Sequence, residues 1–103
     1  MFSKRDIVVV NFPFSNFSEA KKRPALILAD KEQDYIICAI TSKADVDGID
    51  IDEFEEGRSL QFKSKAKYWQ IQTVLKKIVV RKLTKISQKN YDKIIHKITE
   101  MIK

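Results

Sequence analysis

The sequence predicts a small, mainly β domain that ends in one helix. Its 103 residues fit a single domain spanning 1–103. Short apolar or alternating runs recur through the first four fifths of the chain, separated by polar turns, and they indicate six strands. The last residues change to a helical period. This order favours a strongly curved antiparallel sheet or small barrel, with the helix packed on an open face or covering one end.

The first three predicted strands are short apolar runs. Ile7–Phe12 is rich in β-branched residues and is closed by Pro13. Ala25–Ala29 follows a basic tetrapeptide, and Tyr35–Ile40 forms the third run. Cys38, inside that third run, is expected to be inert core packing.

The remaining elements are three further strands and the helix. Ile49–Asp52 alternates with period two, which gives one dry face and one acidic face. Ala66–Gln72 and Lys77–Leu83 are the fifth and sixth predicted strands. Ser87 is a candidate helix cap. The apolar positions that follow it share one helical face: Tyr91, Ile94, Ile95, Ile98, Met101 and Ile102.

Charge is segregated along the chain, whose formal net charge is +6. Residues 58–91 hold ten Lys or Arg and no acid, whereas residues 44–56 hold seven acids and no base. A segregated basic surface is typical of proteins that bind polyanions, although general solubility is an alternative explanation. We expect the acidic stretch to lie on the loop and fourth strand, away from any polyanion groove; the alternative is that it occupies the basic groove in the resting protein.

Composition argues against several classes of protein. No apolar run approaches the length of a membrane span, and the N-terminal run is too short for a signal peptide. One cysteine cannot form an internal disulfide, so a reducing cytoplasm fits best. One histidine and one cysteine leave no metal-ligand pair, and two glycines leave no phosphate-cradling loop. We therefore expect no metal and no cofactor.

A polar constellation at predicted strand ends is the candidate site. Pro24 biases Arg23 toward an extended conformation and so holds a guanidinium on a stiff edge. Thr41 and Ser42 end the third strand beside Lys43, where two hydroxyls can bond a phosphate. The alternatives are a surface charge paired with Glu19 for Arg23, and turn hydroxyls bonded to their own backbone for Thr41 and Ser42.

These pieces resemble a known family. The stretches DIVVVNFPFSNFSEAKKRPALILAD and YIICAITSK, followed by YWQIQT and IVVRKLTKIS, occur in the order typical of the PemK/MazF toxin endoribonucleases. The resemblance implies an SH3-like small β-barrel that forms homodimers and cuts single-stranded RNA without a metal, leaving 2′,3′-cyclic phosphate and 5′-hydroxyl ends. It also implies a cognate antitoxin that blocks the protein, with operator DNA bound only through the antitoxin complex.

The resemblance assigns roles to particular residues. Arg23 would be the catalytic cation, Thr41 would hydrogen-bond the phosphate, and Glu19 would be a candidate base. The RNA-binding residues implied with them are Ser15, Asn16, Lys21, Lys22, Ser42, Lys43, Lys65, Lys67 and Trp69.

Trp69 departs from the family pattern, because many members carry an acid at its position. This tryptophan would stack on a base, or else belong to the core or to a dimer interface together with Ile78 and Ile98. The lost acid keeps an alternative open: a non-catalytic RNA-binding module, or a toxin that acts on gyrase, built on the same barrel.

Overall fold

The computed structural model describes residues 1–13, 20–55 and 58–103. In chain order the elements are β1 (Asp6–Pro13), β2 (Ala20–Lys31), β3 (Asp34–Thr41), β4 (Ile49–Ile51), β5 (Ser64–Leu75), β6 (Val79–Lys85) and α1 (Gln88–Ile102). A short 3₁₀ turn, Lys76–Ile78, joins β5 to β6. The six strands and the C-terminal helix predicted from the sequence are confirmed.

All six strands form one antiparallel sheet in the order β4-β5-β3-β2-β1-β6. No ladder joins the two edge strands within the described ranges, so the sheet is not closed. A single bridge between Phe54, just after β4, and Ile86, just after β6, nevertheless brings the two edges together. The predicted barrel-like class therefore fits a curved sheet whose edges, among the described residues, meet at this bridge.

Alternation along the strands places an apolar cluster on each face of the sheet. The cluster under α1 contains Ile7, Leu26, Leu28, Cys38, Ile51, Ala66, Ile86, Tyr91 and Ile94. The cluster on the other face contains Val8, Val10, Ala25, Ile27, Tyr35, Ile37, Val74 and Val79. The central strands are consequently buried on both sides, which explains why their sequences are nearly continuous apolar runs.

The helix α1 is held at its start. The Ser87 hydroxyl caps it by accepting a hydrogen bond from the Asn90 N–H at 3.0 Å. Tyr91 donates its hydroxyl to the Leu28 carbonyl at 2.7 Å, a buried bond that ties α1 to β2. The apolar stripe is buried only near this end, because Met101 and Ile102 are 44% and 72% exposed. No helix in the described part of the chain is long and apolar enough to cross a membrane.

Several predicted boundaries differ from the structure. β5 is longer than the predicted Ala66–Gln72, because it pairs from Ser64 with β4 and as far as Leu75 with β3. β2 starts before Ala25, because residues 20–24 pair with β1 in spite of their charges. The sixth strand starts at Val79, because the preceding Lys76–Ile78 forms the 3₁₀ turn.

Candidate functional site

The candidate site lies where β2 and β3 separate. Their pairing reaches Ala25 opposite Ala39 and extends no further toward the start of β2 within the described residues. Beyond that point, Arg23 and Pro24 pair only with β1, and Thr41 pairs with β5. Pro24 has no backbone N–H to contribute to a ladder, which suits a position where one pairing stops. A gap opens with Arg23 on one strand and Thr41 on the other.

Both side chains point to the same side of this gap. Arg23 shares its face of β2 with Ala25 and Ile27, since side chains alternate along a strand. Thr41 shares its face of β3 with Ala39. Continuing the register of the two strands by two residues sets Arg23 opposite Thr41. The structure therefore brings together the two residues that the sequence singled out.

Two cavities meet at this gap. The first, of about 530 Å³, is called the glutamine cavity because Gln70 and Gln72 line it, together with Phe12, Ala25, Ile37, Ala39, Val46 and Lys67. The second, of about 480 Å³, is called the Phe62 cavity and is lined also by Ser42, Ser59, Leu60, Gln61, Ser64 and Leu83. Both cavities share one wall, formed by Arg23, Pro24, Ile40, Thr41 and Lys43.

The shared wall offers hydrogen-bond donors. The Thr41 hydroxyl accepts the Lys43 N–H at 3.1 Å, so the turn bond that the sequence left open is present. That bond uses a lone pair and leaves the hydroxyl proton available to an anion. Arg23 is exposed and makes no ion pair or side-chain hydrogen bond with any described residue. Its alternative partner, Glu19, lies outside the described residues.

The basic residues predicted to bind RNA fall into different places. Lys43 and Lys67 line the glutamine cavity. Lys65 instead donates its Nζ to the carbonyls of Ala44 and Val46, at 3.1 and 3.0 Å, and so tethers the loop between β3 and β4. Lys21 and Lys22 are exposed on β2 but line neither cavity.

Trp69 lies outside both cavities. Opposite Cys38 and Ala39, β5 carries the extra residues 68–70, which break the alternation of the strand. Trp69 therefore turns to a separate depression near the end of α1, where its ring meets Tyr68 edge-on with centroids 5.1 Å apart. Ser15 and Asn16, also predicted to bind RNA, lie outside the described residues.

Sequence reasoning missed Phe62 and the pair Gln70 and Gln72. The available signal for Phe62 was an isolated aromatic residue between Gln61 and Lys63, in a polar, basic stretch. The two glutamines gave no signal, because only the register of β5 sets them beside the gap.

The shared wall suits an anion, and the two cavities beside it suit two groups of lower charge attached to that anion. The described lining of the two cavities contains no carboxylate and no imidazole. Within the described ranges, no three His, Cys, Asp or Glu side chains are grouped as a metal site would require. The shared wall is thus a cationic, hydroxyl-bearing strip between two cavities.

Comparison with solved structures identifies the same fold. The crystal structure of MazE–MazF from Deinococcus radiodurans aligns with TM-score 0.75 and 14% identity, over 98% of this chain and 95% of that one. An endoribonuclease from a mycobacterial species, in complex with its cognate antitoxin, aligns with TM-score 0.73 and 10% identity, over 99% and 95%. The Mycobacterium tuberculosis toxin MazF-mt6 aligns with TM-score 0.66 and 14% identity, over 92% and 95%.

A search of curated protein sequences gives no match. The family model described as PemK-like, MazF-like toxin of type II toxin–antitoxin system matches residues 3–102, nearly the whole chain. The resemblance that the sequence predicted is confirmed, and the chain belongs to this family of toxins.

Proposed function

We propose that this protein is an endoribonuclease that cuts single-stranded RNA at a phosphodiester held between Arg23 and Thr41. The observation that carries the proposal is the gap between β2 and β3, where these two residues form a shared wall on separated strands. Membership of the MazF-like toxins supports the same reaction. The proposed setting is the cytoplasm, where RNA is the substrate.

The proposed reaction needs no group beyond the RNA and the protein. The ribose 2′-oxygen attacks the adjacent phosphorus while the bond from phosphorus to the 5′-oxygen breaks, which gives a 2′,3′-cyclic phosphate and a 5′-hydroxyl. The Arg23 guanidinium neutralises the charge that grows on the non-bridging oxygens, and its planar fork can bind two of them. The Thr41 hydroxyl donates to the same phosphate, and Lys43 holds a flanking one.

Two protons must move in this reaction. The 2′-hydroxyl gives its proton to a base, and the 5′-oxygen takes one as it leaves. Glu19, which precedes Arg23 by four residues in the sequence, is the base that we propose. Replacement of Glu19 by Gln would then slow cleavage while leaving RNA affinity unchanged.

An RNA-cleavage assay in EDTA tests the proposal. Wild-type protein should release fragments with cyclic phosphate ends, and Arg23→Ala should lower kcat/KM about 100- to 1,000-fold. Arg81→Ala is the matched control, because Arg81 is an exposed arginine on β6 that lines neither cavity. Full cutting by Arg23→Ala, with an unchanged urea midpoint, would remove Arg23 from the mechanism.

A second candidate function is RNA binding without cleavage on the same surface. Two observations favour it: the described cavity lining lacks an acid, and Trp69 stands where many family members carry one. This candidate predicts that wild-type protein retains RNA on a filter and leaves it intact in both EDTA and Mg²⁺.

We also propose a homodimer and a cognate antitoxin as partners. β4 pairs with β5 only at residues 64–66, so the edge of β5 beyond Ala66 has no strand neighbour in the described part of the chain. That edge carries Trp69, Ile71 and Leu75, which are 39%, 39% and 44% exposed. Ile78 and Ile98, the other interface candidates, pack half-buried on the two clusters of their own chain. Sedimentation as a monomer at micromolar concentration would count against the dimer.

A further inference from the structure

We propose that the Phe62 cavity binds the base of a nucleotide next to the scissile phosphate, with the Phe62 ring as its stacking platform. The base on the other side of the scissile phosphate would enter the glutamine cavity and be recognised there by hydrogen bonds. This inference rests on the proposed function and names how the same site takes its substrate.

Phe62 has the exposure of a platform rather than of a core residue. Its side chain is 66% exposed, more than any other aromatic residue that the structure describes. Single-stranded RNA is held by bases stacked on aromatic rings, and an exposed ring at a cavity wall offers a face for such stacking. The ring borders a cavity that Arg23 and Lys43 also line, which suits a base joined to a phosphate.

The segment that carries Phe62 is anchored on both sides. The Ser64 hydroxyl donates to the Phe62 carbonyl at 2.9 Å, which fixes the backbone where β5 begins. At the other end, the buried Thr84 hydroxyl donates to the Arg58 carbonyl at 2.6 Å and fastens the segment to β6. These two bonds hold the backbone on either side of the ring, so less of the chain has to be ordered when a base stacks on Phe62.

The position of the shared wall determines where the two bases go. A phosphodiester bound by Arg23 and Thr41 lies on the wall common to both cavities. The nucleosides on its two sides then face different cavities, of about 480 and 530 Å³, which lie within the usual range for small-molecule sites. One cleavage site thus takes two bases into two chemically different environments.

The two environments imply different selectivity. Stacking on Phe62 suits every base, since each base has a π-face. The amides of Gln70 and Gln72 each offer both a donor and an acceptor, and so match particular base edges. The Phe62 cavity should therefore supply affinity, and the glutamine cavity should supply sequence preference.

Cleavage of a mixed-sequence RNA pool separates the two roles. Phe62→Ala should lower kcat/KM about 10- to 100-fold at every cut site, without changing the cleavage sequence. Phe62→Trp should restore the rate. Gln72→Ala should instead admit additional bases on one side of the cut. Ile102→Ala is the control, because Ile102 is similarly exposed at the far end of α1 and lines neither cavity.

An abasic nucleotide placed on either side of the cut identifies the stacked base. On one side only, the abasic substrate should be cut equally by wild-type and Phe62→Ala protein, because the partner of the ring is already missing. If the abasic nucleotide and the Phe62→Ala change lowered the cleavage rate independently and additively on both sides of the cut, the inference would be overturned. A changed cleavage sequence in Phe62→Ala protein would overturn it as well.

A binding measurement separates the test of Phe62 from the test of the proposed cleavage activity. A fluorescent single-stranded 2′-deoxy ten-mer of mixed sequence lacks the attacking hydroxyl and reports affinity alone. If wild-type protein cuts no RNA, the proposed function fails, yet Phe62→Ala should still bind this probe about tenfold more weakly. Equal affinity of wild-type and Phe62→Ala protein would overturn the role of Phe62, whether or not the wild type cleaves.

Discussion

Burial controls the chemistry of Cys38 at the scale of a single residue. The side chain is completely buried in the cluster under α1, and desolvation raises the pKa of its thiol from 9.0 to about 12. The neutral thiol therefore persists in the folded protein at pH values where an unfolded chain would already hold a thiolate. This agrees with the role of inert packing predicted from the sequence.

The raised thiol pKa of Cys38 predicts a loss of stability in alkali. Above pH 9 the unfolded thiol releases its proton and the folded one keeps it, so stability falls from pH 9 toward about pH 12. At pH 10 this loss is on the order of 1 kcal/mol relative to pH 8. Urea unfolding of wild-type and Cys38→Ala protein at both pH values measures it, since other titrating groups contribute to both proteins. Parallel pH dependences of the two proteins would contradict the assignment.

At the scale of elements, Asn90 joins α1 to the strand β4. Its amide oxygen accepts the N–H groups of Asp52 and Glu53 at 3.1 and 3.2 Å, and its amide nitrogen donates to the Asp50 carbonyl at 2.9 Å. β4 has only three residues, so these bonds to the helix hold a strand that could not persist alone.

Replacement of Asn90 by Ala should therefore destabilise the protein strongly. The change leaves backbone groups near the start of α1 without partners, at about 1–3 kcal/mol for each one that stays buried. Ser87→Ala, which removes only the helix cap and its bond to Glu53, should cost about 1 kcal/mol. Urea titrations of both variants test this order. An Asn90→Ala variant as stable as Ser87→Ala would show that β4 does not depend on the hydrogen bonds of Asn90.

The elements that sequence could predict are those set by local pattern. Apolar runs located β1 and β3, and the helical stripe with Ser87 located α1, because each pattern is a direct consequence of burial on one or both faces. The charged start of β2 was missed, because its pairing with β1 comes from tertiary structure. The hydrogen bonds between Asn90 and the β4 region were missed for a similar reason, since a polar residue in the first turn of a helix does not reveal a distant partner.

The candidate site was predictable only in part. Arg23 and Thr41 were singled out by their positions beside Pro24 and at a strand end, and the family resemblance supplied their expected roles. The irregularity at residues 68–70 of β5 was not predicted, and it sends Trp69 away from the gap. The same irregularity determines that the side chain of Gln72 lies on the face of β5 that lines the glutamine cavity. Insertions within a strand change which side chains share a face, and short sequence patterns do not locate them.

At the scale of the whole molecule, the described acids of the 44–56 stretch lie outside the lining of the two cavities. Acids of the 44–56 stretch bond to structural partners: Asp47 accepts the Tyr68 hydroxyl at 3.0 Å, which raises the pKa of Tyr68, and Glu53 accepts the Ser87 hydroxyl at 2.9 Å. No acid is among the described residues that line either cavity. The described lining of the gap therefore carries cations and no acid, which is the charge distribution that the proposed RNA site requires.

This separation predicts how RNA affinity depends on salt. The described lining of the cavities includes three cations, Arg23, Lys43 and Lys67, so about three phosphates should be neutralised on binding. For a single strand, the logarithm of affinity should then fall with the logarithm of salt concentration with a slope of about −2. Lys43→Ala should flatten that slope by about 0.7, whereas Lys93→Ala, on the exposed side of α1, should leave it unchanged. Anisotropy titrations of the 2′-deoxy ten-mer between about 50 and about 300 mM salt measure this slope. Equal slopes for wild-type and Lys43→Ala protein would mean that the strand does not pass along the shared wall, because a cation removed from the path of a polyanion must change the number of counterions released.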